Sequence, residues 1–186
     1  MVEPTHPAGV DRRAFLCSAG LVAIADVAAA ATVSTQPTAA PWPGTVLHAS
    51  EGQHIPLAGD RALTIKVDSL ATPSARMSII TEDLPPGAEI RVHLHEREDE
   101  LIVIRAGQGI ATLGDREIPV TIGATVYVPK GVWHGLRNTG DSTLGMSAVY
   151  SPPGFEQSFK DSLRPNRTPA QIEANRKKHG IVYRER

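Results

Sequence analysis

From Leu63 to Tyr150 the apolar residues come in short runs, and none keeps the three-and-four spacing of a long amphipathic helix. Leu63 to Val67 alternates in part, Arg76 to Thr81 favours an extended chain, and Leu84-Pro85-Pro86-Gly87 breaks it sharply. Beyond that break follow Glu89 to Leu94, Glu100 to Ile104, Gly109 to Leu113, Ile118 to Val120, Ala124 to Val128, Gly135 to Asn138 and Leu144 to Tyr150. Turn residues such as Gly114-Asp115 and Thr139-Gly140-Asp141 separate them. Short strands at this spacing, without helices between them, predict an antiparallel sandwich or barrel. One copy of each strand motif predicts a single barrel.

The pattern changes after Pro152-Pro153-Gly154. Phe155 to Leu163 predicts a helix with Phe155 and Phe159 at i,i+4. A second helix is marked by Thr168 as N-cap, Pro169 as first helical residue, Gln171 completing a capping box and Gly180 as the stop, with Ile172 its main apolar contact. Both are expected to pack on the barrel, and a position over its mouth would make the first a lid.

Ahead of the strands, residues 1–31 read as an export signal: a polar start, Asp11-Arg12-Arg13-Ala14-Phe15-Leu16, a mildly apolar run from Ala14 to Ala25, then Ala28 to Ala31. The adjacent arginines resemble the twin-arginine class, so the mature protein is expected in the periplasm or outside the cell, cleaved near Ala30. An uncleaved anchor is disfavoured because a spanning helix needs about 20 strongly apolar residues. Twin-arginine export moves folded proteins, which would let a metal be loaded before the chain meets copper and zinc outside the cytoplasm. Residues 32–44, with Pro37, Pro41 and Pro43, read as a flexible linker in which Trp42 is the one large apolar group. The expected organisation is therefore signal 1–31, linker 32–44, barrel 45–151 and helical tail 152–186.

Charge excludes more than it suggests. The 186-residue chain has a formal net charge of -1. Residues 1–31 hold two arginines and three acids, so their removal leaves basic and acidic residues equal in number. With only Arg176-Lys177-Lys178 clustered, and that as a solvated helix end, a nucleic-acid partner is not expected. The one cysteine, Cys17, rules out an intramolecular disulfide and a Cys-based zinc site, and Leu16 before it argues against lipid attachment.

Candidate chemistry centres on His93-Leu94-His95. On a strand residues i and i+2 share a face, so the two imidazoles point together. After the polar turn Glu96 to Asp99 the chain must reverse, which lands Glu100 beside them, and His134 stands at a later strand entry after Pro129-Lys130-Gly131. Three imidazoles and one carboxylate suit one divalent transition metal ion: iron, manganese, nickel, cobalt, copper or zinc. An octahedral ion would keep two positions open for substrate or dioxygen. His48, His54 and His179 lack such spacing, His6 falls in the signal, and none is expected to act in the site.

The segment resembles a cupin. Gly87, five residues, His93-x-His95, four residues, Glu100, six residues and Gly107 fit the first cupin motif; Gly123, five residues, Pro129-x-Gly131, two residues, His134, three residues and Asn138 fit the second. The resemblance implies an all-β double-stranded β-helix (jelly-roll) barrel with short C-terminal helices, and His93, His95, Glu100 and His134 as metal ligands. It also implies turns with positive φ at Gly87, Gly107, Gly123 and Gly131, and a turn held by Asn138. The tail Ser151-Pro152-Pro153-Gly154-Phe155-Glu156 with Thr168-Pro169 is similar to that of small bacterial cupins often compared with quercetin dioxygenase.

Three functional readings remain open on the sequence. One is a metal-dependent oxygenase acting on a small aromatic or enol compound, with Glu100 also accepting a proton. Another is a non-enzymatic protein that captures a sugar or organic acid, and an isomerase or decarboxylase is the third. Arg91 shares the parity of His93, so it faces either a substrate or a carboxylate partner inside the barrel, unless a bulge turns it to solvent. Leu101 and Val103 have the opposite parity to Ile102 and form either a strip for a homodimer or a face covered by the first strands.

Overall fold

A computed structural model of the protein describes residues 44–58, 61–72 and 75–185. The expected signal, its Cys17 and the linker through Trp42 lie outside these residues. Eleven strands and two helices follow one another: β1 (Gln53–Pro56), β2 (Ala62–Val67), β3 (Ser78–Leu84), β4 (Glu89–His95), β5 (Asp99–Ala106), β6 (Gln108–Leu113), β7 (Arg116–Thr121), β8 (Thr125–Val128), β9 (His134–Asn138), β10 (Leu144–Ser151), α1 (Glu156–Asp161), α2 (Pro169–Lys178) and β11 (Ile181–Tyr183). All strand pairs are antiparallel. One sheet runs β1-β2-β3-β10-β5-β8 and the other β11-β4-β9-β6-β7.

Alternation drives the packing. In β5, Glu100, Ile102 and Ile104 are buried while Leu101 and Val103 are half-buried on the other face. Ile65, Ile80, Ile102, Ile104 and Met146 of the first sheet share one core with Ala111, Val120, Leu136 and Ile181 of the second. Each fully buried aliphatic side chain stabilises by roughly 1.5–3 kcal/mol, so the two inner faces hold the sandwich closed. Asn138 performs the task expected of it: its Nδ2 donates to Leu84 O (2.9 Å) and Ser142 O (2.8 Å), and its Oδ1 accepts from Gly140 N (2.9 Å).

Three features depart from the hydrophobic pattern. β3 runs through Glu82 and Asp83 to Leu84, past the expected end at Thr81, because Arg61 forms an ion pair with the inward Glu82 and lets the strand continue. β1 and β11 were not foreseen: Gln53–Pro56 scarcely alternates, and three residues after a helix carry no period. The tail therefore adds a strand to the barrel as well as two helices. Leu101 and Val103 are not covered by the first strands, since β1 and β2 pair at the far side of the same sheet.

α2 has the expected start, with Thr168 Oγ1 accepting from Gln171 N (3.3 Å) and Thr168 N donating to Gln171 Oε1 (2.8 Å). At its other end His179 Nε2 and Lys178 Nζ both donate to Asp161 Oδ2, at 2.9 and 2.6 Å, which ties α2 to α1. α1 is fixed in turn by Glu156, which is fully buried and accepts from Ser69 N (2.9 Å), Gly154 N (2.8 Å) and Gln157 Nε2 (3.0 Å). Burial alone would raise this carboxyl, but the Ser69 and Ser78 hydroxyls, with Ser69 N and Gln157, outweigh it and lower the pKa to about 2 from an ordinary 4.5. A folded-state pKa below the unfolded one adds stability above the unfolded value, and that stability is lost as pH falls. The stability of the wild type relative to Glu156→Gln should accordingly shrink by up to about 3 kcal/mol between about pH 5 and pH 2. Urea titrations at several pH values measure this, and a gap independent of pH would contradict it.

Candidate metal centre

Two adjacent strands and one facing strand build the site. β4 carries His93 and His95, β9 carries His134 directly opposite His93, and β5 contributes Glu100 from the other sheet. All four side chains are buried, and their ligand atoms lie within 4.8 Å of one another. His93 Nδ1 donates to Arg91 O (2.8 Å) and His134 Nδ1 donates to Val132 O (3.0 Å). Each bond fixes its ring so that Nε2 is left as a lone-pair donor.

The inward atoms are what a cation would satisfy. Glu100 Oε2 lies 2.7 Å from His134 Nε2 and 3.3 Å from His95 Nε2. All three atoms are buried without a hydrogen bond of acceptable geometry. Leaving such atoms unpartnered costs several kcal/mol in total, and one positive ion among them removes the cost. For His134 burial favours the neutral ring but Glu100 outweighs it and raises the pKa, whereas His93 and Glu100 are already in the states a cation requires. Burial, then the charges of His134 and His95, lowers His93 to about 3 and keeps it neutral. Burial opposes ionisation of Glu100, but its contacts with His134 and His95 outweigh it and hold the carboxyl below its ordinary range. The set could hold one divalent transition metal ion.

Arg91 is placed by an irregularity. Ile90 pairs with Leu136, yet His93 pairs with His134, so one extra residue is accommodated in β4 between them. This bulge breaks the shared parity, and Arg91 is exposed at the rim with its guanidinium carbon 5.0 Å from the centroid of the Tyr183 ring. The unpaired cation inside the barrel, one of the expected alternatives, is thereby avoided.

Above the ligands a cavity of about 340 Å³ opens between the sheets and the tail. Phe155 packs edge-on against His95 at 4.2 Å between ring centroids and against Phe159 at 5.1 Å. Phe159 of α1 and Ile172, Asn175 and Arg176 of α2 line the same cavity, so both helices stand at its mouth. Two lining residues escaped the sequence reading. Tyr150 is inward on β10 beside Glu100, and burial, then that carboxylate, raises its phenol well above the ordinary value, so it remains a donor. Tyr183 sits opposite His93 through the β11–β4 pairing, their rings 5.6 Å apart. Strand parity could have found Tyr150; nothing local marks Tyr183.

Comparisons with known proteins agree with this architecture. Residues 80–150 match the family model described as a cupin domain. The chain is 33% identical over 66 residues to an oxalate-binding protein of Thermotoga maritima, covering 36% of this chain and 54% of that one. It is 32% identical over 73 residues to the uncharacterised protein YrkC of Bacillus subtilis, covering 36% and 39%. The chain thus spans about half the length of these curated relatives. Among solved structures, a predicted oxalate decarboxylase from Thermotoga maritima superposes with a TM-score of 0.54 at 23% identity, over 58% of this chain and 99% of that one. KdgF from a Halomonas species gives 0.53 at 17%, over 61% and 98%. These two likenesses establish the fold.

Proposed function

We propose, from a cupin domain at residues 80–150 whose floor gathers three imidazoles and a carboxylate, that the protein is a metal-dependent oxygenase of small aromatic or enol compounds. The observation that carries this reading is the placement of the four buried ligands at the bottom of an open cavity rather than in a closed structural site. A bound divalent ion would supply a Lewis-acid centre and hold substrate oxygen. The protein's own groups do the rest. His93 is kept neutral by burial, His93 and His134 are both aimed by backbone carbonyls, Phe155 and Phe159 exclude water, and Glu100 is placed to take a proton from a substrate hydroxyl. Tyr150, protonated, is the donor beside that carboxylate.

Elemental analysis of protein purified from its native compartment identifies the metal. Oxygen electrode traces with iron, manganese, nickel and copper forms, run against phenols, flavonols and enols, then test turnover. Oxygen consumption with at least one form is expected, and none across the panel would sink the oxygenase reading. The similarity to an oxalate-binding protein favours a second reading, capture of a small acid without turnover. Activity that persists under nitrogen would favour an isomerase or decarboxylase.

The export route and oligomeric state extend the proposal. Arg12 and Arg13 direct twin-arginine export, which cell fractionation of a doubly lysine-substituted chain tests. Leu101 lies between Val149 and Tyr127 on the outer sheet face, the strip proposed to pair two copies.

A further inference from the structure

The charged lining of the cavity is uneven. Four arginines, Arg61, Arg91, Arg167 and Arg176, face three glutamates, Glu82, Glu89 and Glu100. Arg61 is spent on Glu82, to which it donates through Nε at 3.1 Å, and on Glu89 O at 2.9 Å. Glu100 belongs to the ligand set. Arg167 reaches Ser162 Oγ at 3.3 Å. Arg91 and Arg176 differ from these, because each is held over the same ring: their guanidinium carbons lie 5.0 and 4.6 Å from the Tyr183 centroid. Among the described residues no carboxylate stands within ion-pair distance of Arg91, and Arg176 has only the exposed Glu173, at 3.5 Å one turn away. A guanidinium stacked on an aromatic ring keeps its in-plane N–H groups for another partner.

We propose that Arg91 and Arg176, braced on Tyr183, form an anion subsite that receives the carboxylate of a small organic acid whose oxygenated end reaches the metal ligands. Tyr183 places the subsite next to the ligand set, its ring 5.6 Å from that of His93. An acid with an oxygen on the carbon next to its carboxylate offers a group to each side, and its apolar remainder meets Phe155, Phe159 and Ile172 of the same cavity. A neutral sugar fits less well, because the uncharged polar side chains nearby are already engaged: Asn175 Nδ2 donates to Ser158 O and Ser162 Oγ, both at 3.1 Å, and Ser162 Oγ donates to Ser158 O at 2.7 Å. The Arg176 guanidinium, expected from the sequence to be part of a solvated helix end, is recruited from the tail, so the tail selects the substrate as well as covering it.

The inference rests on the metal site for its second contact, and its test is separate from oxygen chemistry. Calorimetry on the full protein reconstituted with zinc, which is redox-inert, compares mandelate with the neutral mandelamide. Mandelate should bind the wild type more tightly than mandelamide, Arg91→Ala and Arg176→Ala should each weaken mandelate by about tenfold, and neither should change mandelamide. Arg91→Lys and Arg176→Lys should recover part of the loss. Equal affinity for acid and amide, no binding of mandelate to the wild type, or unchanged mandelate binding in the double alanine variant would each overturn the subsite. Tighter binding of inorganic phosphate than of mandelate would overturn the carboxylate assignment. Loss of mandelate binding in the arginine variants would uphold the subsite even in a protein that consumes no oxygen.

Discussion

His134→Ala is expected to leave a folded barrel that no longer holds a divalent metal ion. Three contacts converge on this imidazole: Val132 O fixes its Nδ1, Glu100 Oε2 lies 2.7 Å from its Nε2, and its ring is 4.2 Å from that of His93. Removal takes away one of four ligands and leaves Glu100 facing His95 alone. Loss of a residue that merely supports a ligand weakens metal binding by about 10–100-fold, so loss of the ligand itself should exceed about 100-fold. Chelator competition with the purified protein measures this, and circular dichroism separates it from unfolding. Retention of the ion at wild-type affinity would show that the four residues do not act together. Under the proposed oxygenase reading, oxygen uptake should disappear along with the metal.

The second large effect is one of folding. Gly107 joins β5 to β6 with φ at 73°, and a Cβ built there would stand 2.4 Å from the carbonyl oxygen of Thr143. Backbone, unlike a side-chain tip, cannot step aside. Gly107→Ala therefore combines a left-handed conformation, about 1–2 kcal/mol, with forced overpacking, about 1–3 kcal/mol. A loss of about 2–5 kcal/mol is expected from urea unfolding. Gly123 is the control: its φ is 87° but nothing lies within 4 Å of its Cβ position, so Gly123→Ala should show the conformational cost alone. Equal losses at the two sites would refute the steric part.

The four positive-φ turns at Gly87, Gly107, Gly123 and Gly131 were readable because a glycine between two apolar runs has few other uses, and each has φ between 73° and 87°. The grouping of His93 with His95 was equally local, a matter of alternate residues on one strand. Glu100 and His134 followed from where the chain must reverse. What escaped depends on partners far away in sequence. Arg91 left the barrel because one residue of β4 has no opposite number on β9, and an inserted residue leaves no mark in composition. Tyr183 reaches the site through a strand of three residues whose only reason to be extended is β4. Glu82 lies past the expected strand end at Thr81 and stays within β3 through its ion pair with Arg61, a partner distant in sequence. His179, judged to have no role in the site, is structural, its ring donating to Asp161 between the two helices.

β11 has a consequence for the protein outside its own cavity. Among the described residues, β4 has, besides β9 on one side, only Ile181–Tyr183 as its neighbour, with Arg184 N donating to Val92 O at 3.0 Å just past it. Without those residues the strand that bears two imidazoles would present a bare row of amides and carbonyls, a template for another chain to pair with. A strand of three residues flanked by Arg184 and Glu185 is too short and too charged to offer the same template in its turn. The segment that brings Tyr183 to the cavity thus also covers an edge that would otherwise invite self-association.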